Sequence, residues 1–92
     1  MYKITPYSYD QAKKLNVSIK SSKTKNKKID VFDRDNKKLA SIGDIRYKDY
    51  PTYILEKGKN YANERRRLYR IRHKKDLNII ESPGYFANKI LW

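Results

Sequence analysis

The chain has 92 residues, with 23 Lys and Arg against 10 Asp and Glu, for a formal net charge of +13. An excess of this size goes beyond what solubility asks of a small domain, and its self-repulsion weakens the compact state unless a polyanion offsets it. No cysteine and a single histidine exclude disulfides, thiolate metal sites, thiol nucleophiles and a zinc cluster.

Charged residues make up 36% of the chain, which borders on disorder, but nine tyrosines, two phenylalanines and one tryptophan oppose it. The composition therefore predicts one small basic domain over residues 1–92, with a thin, tyrosine-rich core. No apolar run reaches the length of a membrane span, and MYKITPYSYD reads as neither a signal nor a transit peptide. The expectation is a soluble, intracellular protein, free or carried in a particle, with no membrane partner.

In chain order, Tyr2–Thr5 alternates polar and apolar residues before Pro6 and predicts a short strand. Ser8 is a candidate cap for a helix through Leu15, with Asn16 as its stop. Val17–Lys20 has strand periodicity. From 21 to 28 the chain holds only Ser, Thr, Asn and Lys, which predicts a mobile lysine-rich loop. A hairpin spans about 28–43, turning at Arg34–Lys37, with Ile29 and Val31 on one face and Phe32 on the other. Asp49 caps a helix from Tyr50 to Lys57 that carries Pro51 in its first turn and stops at Gly58. A basic helix follows over about 59–75. Ser82-Pro83 opens a final, strongly apolar helix. The fold class is thus α+β, a small antiparallel sheet of hairpin and N-terminal strands packed with the basic and C-terminal helices.

The basic helix carries the strongest functional signal, with five arginines and two lysines between Asn63 and Lys75. At 3.6 residues per turn, Tyr61, Leu68 and Ile71 share one side, flanked by Ala62 and Tyr69. Lys59, Arg66, Arg70 and Lys74 share the other, with Arg67 and His73 beside them. Cations one helical turn apart suit the phosphate spacing of a nucleic-acid groove, although such rows are also ordinary solvated faces. Arg65 and Arg72 fall on the side of Tyr61 and Leu68, as structural arginines at a core edge or as ligand-binding ones.

Lys20, Lys23, Lys25, Lys27 and Lys28 form a second basic element suited to sequence-independent phosphate contact. Arg34, Lys37 and Lys38 add a third at the hairpin tip. Tyr47, Tyr50 and Tyr53 read either as core or as a platform for unpaired bases. Asp30, Asp33 and Asp35 read as turn formers and lysine partners, or as a metal-binding group. Glu64 as metal ligand with His73 or a tyrosine as base would be the ingredients of a compact nuclease, but the strands of GIY-YIG nucleases are missing, so no catalytic residue, metal or cofactor is assigned. The apolar end Tyr85, Phe86, Ile90, Leu91 and Trp92 either packs on the core or anchors a second copy or another protein.

The sequence also resembles a family of small basic proteins encoded by nucleocytoplasmic large DNA viruses, the giant viruses. The likeness rests on Lys27-Lys28-Ile29-Asp30-Val31-Phe32, Asp49-Tyr50-Pro51-Thr52-Tyr53, Arg65-Arg66-Arg67-Leu68-Tyr69 and Ser82-Pro83-Gly84-Tyr85-Phe86-Ala87-Asn88-Lys89-Ile90-Leu91-Trp92. It implies a viral origin and a virion or viral-factory setting. Together with the charge, it leads to a non-enzymatic, sequence-tolerant protein that neutralises or packages viral double-stranded DNA, with RNA as a possible alternative. The other reading is a small cement or minor capsid protein that docks acidic faces of capsid or core proteins.

Overall fold

The structure is a computed structural model and describes residues 2–92. It is an α+β fold with helices α1 (Pro6–Lys14), α2 (Tyr50–Lys57), α3 (Lys59–Arg72) and α4 (Pro83–Leu91). Strands β1 (Ser18–Ser21), β2 (Lys27–Phe32) and β3 (Lys38–Asp44) form one antiparallel sheet in the order β1-β2-β3.

Register explains the core. Ile19 lies opposite Val31, which lies opposite Ala40, and Ile29 lies opposite Ile42. All five are buried, forming one apolar face with the period of two that strands impose. Helix α4 packs over β3 and against α1, bringing Phe86, Ile90 and Leu91 onto that face. Gly43 permits the approach. Its φ is +77°, and a Cβ there would lie 2.7 Å from Leu91 Cδ1. The Gly43-Asp44 pair does end β3, while the sheet's irregularity falls between Val31 and Phe32.

Several expected boundaries move. Tyr2–Thr5 forms no strand. Its backbone is held by side chains instead, as Ser21 Oγ donates to the Tyr2 carbonyl at 2.7 Å. The cap of α1 is Thr5, whose Oγ1 accepts from the Ser8 N–H, and Pro6 takes the first turn. Ser8 lies inside the helix, fully buried, and donates to the Ile90 carbonyl at 2.9 Å. Asn16 has φ 59°, the left-handed stop its side chain tolerates. Asp49, Pro51 and Gly58 bound α2, and Ser82 and Pro83 open α4, as expected. Helix α3 ends at Arg72, earlier than expected, with His73 as cap and Lys74 and Lys75 in the following turn. No helix among the described residues is long and apolar enough to cross a membrane.

Candidate nucleic-acid interface

Helix α3 meets the rest of the protein through a different face from the one its hydrophobic residues predict. Ala62 is its one fully buried residue. Tyr69, half-buried, stacks on Trp92 at 4.4 Å and 11°, with His73 against it at 4.4 Å. Burial raises the Tyr69 hydroxyl pKa above its ordinary value. Tyr61, Leu68 and Ile71, the expected core face, remain 45%, 41% and 61% exposed. The seam is Ala62, Arg66, Tyr69 and His73, roughly 140° around the helix from the direction of Tyr61, Leu68 and Ile71. An arginine makes this possible. The Arg66 guanidinium lies 4.0 Å from the Tyr50 ring centroid and donates to the Trp92 carbonyl at 3.5 Å and to Asn63 Oδ1 at 3.3 Å. Its planar, weakly hydrated head packs on an aromatic face as an ammonium would not.

The expected basic row therefore flanks the seam, and part of it is pre-set. Arg70 Nε donates to Asn88 Oδ1 at 3.0 Å. Asn63 also accepts from the Tyr50 hydroxyl at 2.7 Å, which fixes the amide that Arg66 uses. Arg67 Nε donates to Glu64 at 3.1 Å, and this hydrogen bond holds the Glu64 carboxyl below the usual carboxylate range. Arg66, Arg67, Arg70 and Lys74 come together, with Asn63 and Ile71, around one shallow surface concavity. Lys74 reaches it from the turn after the helix. Lys59, at the first position of α3, does not line it. Asn63 and Asn88, which help orient the arginines, give no signal in the sequence, and Tyr50 reads there only as core or base platform, because its contact with Arg66 joins two different helices.

The lysine element differs from expectation. Its central part is a compact turn: the Ser22 N–H donates to the Lys28 carbonyl at 3.0 Å and the Lys27 N–H to the Thr24 carbonyl at 3.1 Å. Lys20 belongs to β1, and Lys27 and Lys28 belong to β2. Lys28 is not a phosphate contact. It is 4% exposed, its Nζ donates to Asp49 Oδ2 at 2.9 Å, and it lies 5.2 Å from the Tyr2 ring centroid. Burial would raise the Asp49 carboxyl, yet the Lys28 charge and bonds from the Thr52 N–H, Lys28 and Tyr2 hold it below its ordinary range. Burial and Asp49 together push the Tyr2 hydroxyl well up. Lys20, Lys23, Lys25 and Lys27 remain exposed, with the Lys20 ammonium 5.4 Å from the Phe32 centroid. Among the described residues no bond or shared concavity joins them to the Arg66–Lys74 patch. Arg34 lies beside Lys13 in a separate depression.

The remaining candidates separate cleanly. Arg65 is half-buried over Tyr53 at 5.6 Å, its buried Nε without a partner among the described residues, whereas Arg72 is exposed rather than at a core edge. Tyr50 belongs to the core and Tyr53 packs against it, so neither is a base platform; Tyr47 is 67% exposed. Asp30 accepts from Ser22 Oγ and Ser41 Oγ, and Asp33 from the Asp35 and Lys37 N–H groups, so these aspartates brace sheet and turn. Phe86, Ile90, Leu91 and Trp92 are buried in this chain's own core and Tyr85 packs against it, so of the two readings of the apolar end the packed one describes the fold. In comparisons with known proteins, no family model, no curated protein and no solved structure matches the chain.

Proposed function

We propose that the protein is a non-enzymatic, sequence-tolerant DNA-binding protein that grips the duplex backbone through α3 and the turn after it. The observation that carries this reading is the convergence of Arg66, Arg67, Arg70 and Lys74 on one concavity. Arg66 and Arg70 are held there by Tyr50, the Trp92 carbonyl and Asn88, so little side-chain freedom is lost when phosphate arrives. The exposed Arg67–Glu64 pair is weak enough for a phosphate to replace the carboxylate. Affinity at such a patch follows charge and counterion release. Lys20, Lys23 and Lys25 add diffuse attraction from a separate surface. In the setting implied by the resemblance to giant-virus proteins, the polyanion is viral DNA, neutralised or packaged for the virion.

Gel-shift titrations of unrelated duplexes at several salt concentrations test this. Neutralising about six phosphates gives a slope near −5 in log affinity against log salt, with little dependence on sequence. A flat salt response or strong preference for one sequence would contradict it.

A further inference from the structure

A second recess lies on the opposite flank of α3, where the helix end, α4 and the end of β3 meet. It encloses about 470 Å³, within the range of small-ligand sites. Tyr47, Tyr69, His73 and Trp92 contribute aromatic walls, and Ile42, Ala87 and Leu91 contribute apolar surface. Its charges are unevenly matched. Lys28 is held by Asp49 and Lys48 by Glu56, while Asp44 is held by Arg46, whose hydrogen bonds lower the Asp44 carboxyl to about 2. Lys27 lies opposite Asp44 across the β2–β3 ladder, and its charge adds to the lowering of that carboxyl. It makes no ion pair within 4 Å among the described residues, and Arg72 Nε donates only to His73 Nε2, at 3.4 Å. Two available cations beside an aromatic, partly apolar recess are complementary to a flat ring carrying a phosphate.

We infer that this cleft binds an unpaired nucleotide, its base packed against Tyr47 and the apolar wall and its phosphate at Arg72 and Lys27. The duplex patch faces the other flank, so the two sites stand or fall separately. A base is preferred to a bare anion because Tyr47 is exposed beside the cations, where stacking adds what charge alone does not. The unpaired unit can come from a single strand or from a free nucleotide.

Trp92 is the single tryptophan and lines the cleft, so its emission reports occupancy. Titration with a five-thymidine strand should change that emission saturably, and a five-unit abasic strand should bind about tenfold more weakly. Tyr47→Ala should weaken the thymidine strand by about the same factor while leaving the duplex gel shift unchanged; Arg72→Gln should weaken it too. Thymidine monophosphate binding as well as the strand identifies free nucleotide as the source, and binding by the strand alone identifies single-stranded nucleic acid. Equal binding of abasic and base-bearing strands, or a Tyr47→Ala variant that binds like the parent, overturns the inference.

Discussion

The lysine-rich hairpin of β1 and β2, from Lys20 to Lys28, and the arginine-rich helix have similar charge density in the sequence and opposite fates in the fold. In the hairpin the cations divide sharply: Lys28 is withdrawn into the core onto a single carboxylate, while Lys23 and Lys25 stand in solvent. In α3 the arginines do both at once, with Arg66 packed on Tyr50 and also lining the surface concavity. The difference follows from the head groups. An ammonium is a compact, strongly hydrated charge that is either fully paired or left in water, whereas a guanidinium can stack through its face and still donate from its edge. Net charge alone therefore does not locate a binding surface; what holds each cation in place does.

The largest expected effects come from the anchors that join each basic element to the core. Asp49→Asn leaves Lys28 buried without its counter-charge and should destabilise the fold by about 3–5 kcal/mol in urea denaturation. Trp92→Ala, which removes the surface on which Tyr69 stacks, should cost a similar ~3–5 kcal/mol. The Asp49 carboxyl is depressed in the fold, so its contribution is present above the unfolded carboxyl pKa near 3.9 and is lost as pH falls through the lower folded value. Acid melts should show that loss in the parent and a flatter profile in Asp49→Asn. A smaller effect separates the arginines. Arg66→Gln should lower stability by about 1–2 kcal/mol through the lost stacking on Tyr50, whereas Arg67→Gln should leave the melt unchanged. Equal melts for these two would erase the distinction between an arginine that packs and one that only faces solvent.

Much of the fold was legible because its signals were local. Asp49, Pro51 and Gly58 bounded α2, Ser82 and Pro83 opened α4, and alternation along 28–43 placed the hairpin. Capping and turn chemistry act within a few residues, so a single sequence displays them. The face of α3 was misread because periodicity treats arginine as solvent-facing, while Arg66 spends its planar head on a tyrosine in another helix. Tyr2–Thr5 alternates like a strand, but Ser21 Oγ holds the Tyr2 carbonyl in place of a ladder. The helix cations of the site were readable by type, whereas the Asn88 contact to Arg70, the Tyr50 contacts to Asn63 and Arg66, and the cleft around Tyr47 and Arg72 arise only from tertiary packing.

The claim that arrangement rather than total charge makes the interface is tested most directly by two triple variants with the same loss of charge. One carries Arg67→Gln, Arg70→Gln and Lys74→Gln; the other carries Lys20→Gln, Lys23→Gln and Lys25→Gln. The measurement is the salt dependence of duplex binding for parent and both variants. The helix variant should lose more than about tenfold in affinity near physiological salt and flatten the slope by about 2–3, roughly one per phosphate contact removed. The hairpin variant should stay within a few-fold of the parent with a smaller change in slope. Equal losses in both, or a larger loss in the hairpin variant, would contradict the account.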